Sequence, residues 1–149
     1  MAPRDTMEFV PQKLYCPLGS LRRCLTYPST MPSPSTSDAK IKRLLRLCQL
    51  ESLTNRLNDS EDWSLVLSSG EQQKMIFVRV LLRRPKWIFL DEVTSSLDES
   101  SERRLYSSLF HKLGHHSTII SVGHRETLRQ FHQIQLQYVG RQIIRTHIL

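Results

Sequence analysis

The hydrophobic period of this chain changes abruptly at Pro85. Upstream, from Ser69 to about Arg84, Met75, Ile76, Leu82 and their apolar neighbours follow a helical pattern. Proline lacks the N–H that would continue the ladder, so the helix ends there. Downstream, Trp87-Ile-Phe-Leu90 is a compact apolar run that stops at Asp91-Glu92. That is the pattern of a strand buried on both faces, with a C-terminal end opening into a site. Helix followed directly by internal strand restricts the chain to an α/β arrangement.

The rest of the sequence extends this pattern. Met7-Glu-Phe-Val10 reads as a short strand ending at Pro11-Gln12, and Gly19-Ser20 opens a helical turn through Leu21, Cys24 and Leu25. Ser29 to Ser37 has the composition of a linker, and all but one of the seven prolines lie before residue 35. Asp38 is placed to cap a helix whose Ile41, Leu44, Leu45 and Cys48 recur on one face, with Lys40, Lys42, Arg43 and Arg46 toward water. A further helix, capped by Asp98, turns Leu105 and Leu109 inward and stops at Gly114. Thr118 to Val122 is a second buried strand, ending at Gly123-His124. Gln133 to Tyr138 alternates, and Arg141 to Ile148 returns beside it as a hairpin with one wet face. Trp63 and Trp87 read as packing residues.

Composition excludes several classes. A chain of 149 residues, 39% hydrophobic, makes one ordinary domain. Its apolar stretch Met75 to Leu82 is interrupted by Arg79 and is far shorter than the ~20 residues of a membrane span. The N-terminus lacks the layout of a secretory signal, which leaves a cytosolic placement. The net charge of +7 is spread over both halves, and the dense run Arg79 to Lys86 reads as the solvated side and end of one helix, so no nucleic-acid stripe is indicated. Cys16, Cys24 and Cys48 form no Cys-x-x-Cys pair, and reduced thiols fit best.

Two segments can carry chemistry. Adjacent strand-end carboxylates, Asp91 and Glu92, suit Mg²⁺ ligation and activation of a water, although a strand followed by Asp-Glu is more often a capped or solvated turn. Leu67-Ser68-Ser69-Gly70-Glu71-Gln-Gln opens a helix with hydroxyls and free N–H groups at the positive end of its dipole, which is an anion site in function and an ordinary capping box in structure. His124 alone would read as a packed or surface histidine, as His111, His115, His116, His132 and His147 do.

Taken in order, these segments resemble the nucleotide-binding domain of an ABC transporter. Leu67 to Asp98 is similar to its signature loop, Walker B strand and D-loop, His124 stands at the switch histidine, and Gln12 after Phe-Val-Pro matches the Q-loop glutamine. Pro-Gln-Lys-Leu-Tyr, Asp62-Trp63, Glu71 in place of the usual glutamine, and Ser-Val-Gly-His-Arg resemble subfamily D, the fatty-acyl and cobalamin exporters with their bacterial inner-membrane relatives.

The resemblance implies a P-loop NTPase-like fold with a mostly parallel sheet and a helical signature subdomain at about 38–84, with Walker B and the C-terminal strands over 86–149. It implies ATP and Mg²⁺ as cofactors. Asp91 would hold the metal through its water shell, with Gln12 beside it; Glu92 would be the general base, and His124 would contact the γ-phosphate. Ser68, Ser69, Gly70, Glu71 and Asp98 would face nucleotide held by a second nucleotide-binding domain, paired head to tail. A transmembrane domain is the other implied partner, which puts the chain at the cytoplasmic face of a membrane, on the bacterial inner membrane rather than the peroxisome, or free in the cytoplasm if it stands alone.

One family element has no match here. A phosphate-cradling loop needs Gly-x-x-x-x-Gly-Lys-Ser/Thr, and none of the five glycines, at 19, 70, 114, 123 and 140, precedes a lysine. The chain thus matches the later two-thirds of the domain. In the family's sheet a strand would lie between the one ending at His124 and the one at Gln133 to Tyr138, so an open edge is expected. Two functions follow: the ATPase portion of a transporter, inactive alone, or a non-catalytic protein that pairs with a full-length transporter half.

Overall fold

A computed structural model describes residues 7–28 and 37–148. It contains strands β1 (Met7–Val10), β2 (Gly19–Ser20), β3 (Ser60–Glu61), β4 (Trp87–Asp91), β5 (Thr118–Val122), β6 (Ile134–Val139) and β7 (Gln142–His147). The helices are α1 (Leu21–Thr26), α2 (Asp38–Leu47), α3 (Trp63–Val66), α4 (Ser69–Arg83) and α5 (Glu99–Leu113). The linker expected over 29–37 lies outside the described residues except Ser37, and Ser37 rather than Asp38 caps α2 by accepting from the Lys40 N–H. Asp38 sits in the first turn instead and pairs with Arg22 at 2.7 Å.

The main sheet is parallel, in the order β1-β4-β5, with Val10 beside Leu90 and Leu90 beside Ser121. The helix that the period change predicts ends as Pro85 requires, with Arg84 in the left-handed region at φ 51°. Helix α4 is the centre of the core. Every residue from Met75 to Leu81 is buried, and α1, α2 and α5 all pack against the helix. Arg79 therefore lies at 8% exposure and not on the solvated side expected for it. Its N–H groups exchange water for the carbonyls of Cys24 and Tyr15 at 2.7 and 2.6 Å, which makes burial of the charge tolerable.

Two strand expectations need correction. Ile88 and Leu90 of β4 are buried against the helices, but Trp87 is 41% exposed, and along β5 Ile120 and Val122 are 40% and 56% exposed. The strands are covered on one face only. The in-register set Met7-Trp87 and Phe9-Phe89-Ile120 forms an apolar face that no described element covers. Trp63, in contrast, is fully buried, and its indole N–H donates to the Gly19 carbonyl at 3.0 Å.

The C-terminal hairpin forms as predicted, β6 antiparallel to β7, with Gly140 and Arg141 both left-handed at the turn. It is wet on both faces rather than one: Leu136, Tyr138 and Ile143 on one face are 66–73% exposed, and Val139 and Ile144 on the other are 47% and 48% exposed. It joins neither of the other sheets, so β5 is an edge strand. Ile120→Lys is expected to reduce self-association of the isolated chain without lowering its melting temperature, since a charged edge residue opposes strand pairing and the side chain is already exposed. Light scattering against concentration is the check.

Candidate functional site

The site forms where the parallel strands β4 and β5 end side by side. Asp91 is the last residue of β4, in register with Val122. Glu92 turns into the left-handed region at φ 48° while its N–H still donates to the Val122 carbonyl at 3.0 Å. For a non-glycine residue that conformation is strained by about 1 kcal/mol, and such strain gathers at functional positions. The turn throws the Glu92 carboxylate toward the loop after β5, where Oε1 meets His124 Nε2 at 2.7 Å. The histidine side chain is 87% exposed and the glutamate 33%, so one face of the pair remains open to a ligand.

His124 is held in place through its neighbours. A Cβ on Gly123 would come within 2.5 Å of Leu128 Cδ1, so any larger residue here would have to push the tip of that leucine aside. Phe131, at the end of the 3-10 turn Glu126–Phe131, stacks 5.5 Å from Tyr106 on α5. Burial pushes the Tyr106 phenol up to about 12, so it stays protonated and donates to Ser121 Oγ at 3.3 Å.

Three connections were not foreseen from sequence. Glu102, 1% exposed, accepts from the hydroxyls of Thr94 and Thr127 at 2.6 Å each and lies 3.5 Å from Arg125 Nη1. One buried carboxylate thereby ties the loop after Glu92 to the loop after His124. Gln73, also buried, donates to Ser95 Oγ at 3.0 Å and accepts from the Ser96 N–H at 2.9 Å, clamping that loop to α4. Arg125 Nη2 reaches the Ser95 carbonyl at 3.3 Å. A helical-wheel signal was present for Glu102, which shares the inward stripe of Leu105, Tyr106, Leu109 and Leu113.

Of the predicted residues, Gln12 joins this set through Ser95, its Nε2 standing 3.4 Å from Ser95 Oγ. Ser68, Ser69, Gly70 and Glu71 form the start of α4. Their polar contacts stay within the turn: the Glu71 carboxylate accepts from the Ser68 N–H and hydroxyl at 3.0 and 2.8 Å, a full capping box. Gly70 allows the close approach of Leu97, whose Cδ2 would stand 3.3 Å from an added Cβ. Asp98 caps α5, with both carboxylate oxygens on Ser101 at 2.8 Å. Those hydrogen bonds hold its carboxyl below the ordinary range. A lowered folded-state value means stabilisation that is present above the unfolded value and lost as pH falls through the folded one. Asp98→Ala is thus expected to lower the denaturation midpoint at neutral pH, with the difference from the parent vanishing in strong acid.

Asp91 and Gln12 offer hard oxygen donors, and no group of three His, Cys, Asp or Glu that could hold a metal occurs among the described residues. That donor set fits Mg²⁺, which keeps most of its waters and takes phosphate oxygens alongside one or two protein ligands.

A strained carboxylate paired with a histidine across two parallel strand ends, preceded by a capped helix packed on the connecting loop, matches a known design. The ABC transporter family model covers residues 2–95. The chain belongs to the ABC transporter family. It is 43% identical over 129 residues to an uncharacterized ABC transporter ATP-binding protein of Haemophilus influenzae, covering 87% of this chain and 21% of that protein. It is 38% identical to the human lysosomal cobalamin transporter ABCD4 (89% and 23% covered) and to the chloroplastic ABC transporter D family member 2 of Arabidopsis thaliana (90% and 22%). A bacterial Atm1-family ABC exporter solved with ATP bound superposes with a TM-score of 0.77 over 95% of this chain and 25% of the exporter, at 22% identity, which speaks to the fold. The chain spans about a fifth of the length of these ABC relatives, and none of its described helices is long and apolar enough to cross a membrane.

Proposed function

We propose that this chain is the later part of an ABC nucleotide-binding domain that hydrolyses ATP to drive transport, and that it requires a glycine-rich phosphate loop from outside these 149 residues. The observation that carries this reading is the 2.7 Å contact between Glu92 and His124. When bound, Mg²⁺ supplies charge stabilisation at the phosphates. Asp91 and Gln12 are the residues that would hold it.

Glu92 accepts the proton of the attacking water, and His124 keeps that carboxylate aimed while its own ring faces the γ-phosphate. Both groups must be fixed beforehand, because phosphoryl transfer depends on positioning and electrostatics rather than covalent chemistry. The Ser68 to Glu71 turn, with Asp98 beyond it, would close on nucleotide held by a second domain. Membership of subfamily D, with a fatty-acyl, cobalamin or related cargo, and a bacterial inner-membrane setting are part of this proposal. The subfamily and a cobalamin-like cargo are supported by the names of the D-family relatives, whereas a fatty-acyl cargo and the bacterial inner-membrane setting rest on the motif resemblance alone. The uncovered apolar sheet face and open β5 edge support completion by another segment.

The test compares the chain alone with the chain joined behind the glycine-rich segment of the Haemophilus relative. The chain alone is expected to bind ATP weakly and to show no Mg²⁺-dependent turnover, and the joined protein to show both. Turnover by the chain alone that disappears in Glu92→Gln would overturn the requirement for the missing loop. A folded, ATP-binding joined protein without turnover would overturn the catalytic reading and favour a non-catalytic partner of a transporter half.

A further inference from the structure

A cavity of about 380 Å³ opens between α2 and the C-terminal ends of α4 and α5. Its wall carries Lys40 and Arg43 from α2, Arg84 from the end of α4, and His111 and Lys112 from the last turn of α5. Buried Leu44, Leu81 and Leu113 form the floor. Among the described residues no carboxylate lines this cavity, and none forms an ion pair with any of its basic groups.

Helix ends account for only part of the clustering. His111 and Lys112 lie where the dipole of α5 favours a cation. Lys40 stands instead in the first turn of α2, where the dipole opposes positive charge. Arg84 occupies the left-handed position that closes α4, at φ 51°, where a glycine would carry less strain. Three helices therefore bring cationic groups to one hollow against local preference, and its low-dielectric walls concentrate their field inside it. A bound anion relieves the mutual repulsion.

We propose that this cavity is a binding site for a small soluble molecule carrying two or more adjacent phosphate groups. Its volume is that of a small-molecule pocket. The two arginines offer planar forks and the two lysines compact point charges, both of which suit phosphate oxygens. No Phe, Tyr or Trp lines the wall, so recognition is of the phosphates and not of a stacked base. The lining leucines are all buried, so the cavity presents no apolar rim to a bilayer. Because α4 and α5 end just before β4 and β5 begin, the cavity lies at the opposite strand ends from Glu92 and His124. A ligand there fastens α2, α4 and α5 to one another without entering the nucleotide site.

The test titrates inorganic tripolyphosphate into the 149-residue chain by calorimetry in about 0.15 M salt and follows the melting temperature. Saturable binding and a rise in melting temperature are expected. The double variant Arg43→Ala, Arg84→Gly should weaken binding at least about 10-fold and still fold, since alanine suits a helix and glycine suits φ 51°. Arg103→Ala with Arg104→Ala removes the same charge from exposed positions of α5 outside the cavity and should change affinity less than about twofold. Equal losses in the two double variants, or no binding by the parent, would overturn the site. Citrate or a short DNA duplex binding as tightly as tripolyphosphate would overturn the preference for clustered phosphates. Tighter binding to phosphatidylcholine vesicles containing phosphatidylinositol bisphosphate would place the ligand in a membrane and overturn the soluble assignment.

Discussion

Glu92→Gln lowers Mg²⁺-ATP turnover of the joined protein by on the order of 10²–10⁴-fold, the usual contribution of a positioned general base. The substitution exchanges an oxygen for an amide nitrogen of nearly equal size, so the contact with His124 survives and the backbone at φ 48° carries the same side-chain shape. What is lost is the ability to accept a proton. Nucleotide affinity is expected to change by less than about threefold, since ground-state binding and transition-state stabilisation are separate quantities. Single-turnover kinetics with an equilibrium binding isotherm distinguishes the two. Turnover within a few-fold of the parent would remove Glu92 from the role of base.

Glu102→Ala is the substitution with the largest expected effect on stability, a loss of about 3–5 kcal/mol. The carboxylate is 1% exposed and receives two short hydroxyl hydrogen bonds, while Arg125 stands 3.5 Å away. Truncation strands both threonine hydroxyls and leaves Arg125 without its nearest anion. Glu102→Gln keeps one accepting oxygen and is expected to cost less, about 1–2 kcal/mol. Because Thr94 and Thr127 belong to the loops that follow Glu92 and precede the stacked Phe131, both variants should also loosen the Glu92–His124 contact. Denaturant unfolding gives the stability, and amide exchange of residues 92–97 and 123–128 reports the loops. Equal stability of the Ala variant and the parent would show that the network carries no net energy.

The elements legible in the sequence were those with strong local causes. Ser68 and Pro85 bounded one helix, α4, Asp98 capped another, α5, and the three- and four-residue spacing of Ile41, Leu44 and Leu45 placed one helix face correctly. Less legible was which strand faces would be covered. Trp87, Ile120 and Val122 have the composition of an internal strand, and they are exposed because cover depends on what packs above the sheet, not on the strand itself. The hairpin shows the same limit: its alternation predicts that the two strands pair, but not the register that sets Tyr138 beside Ile143 or a neighbour for that face.

The ordered motifs from Gln12 through Ser68-Gly70 and Asp91-Glu92 to His124 determined the family by themselves, since residue type and order along the chain are all that such a pattern needs. Contacts between residues distant in sequence were decided only in three dimensions. The strand ends had to lie in parallel register before Glu92 could reach His124. Arg79, read from sequence as a solvated charge, became a buried clamp because α1 and the segment after Gln12 bring their carbonyls around it. Local propensity acts over a few residues, whereas burial and electrostatics depend on whatever the fold brings within a few ångströms, and that is why the one could be read from the chain and the other could not.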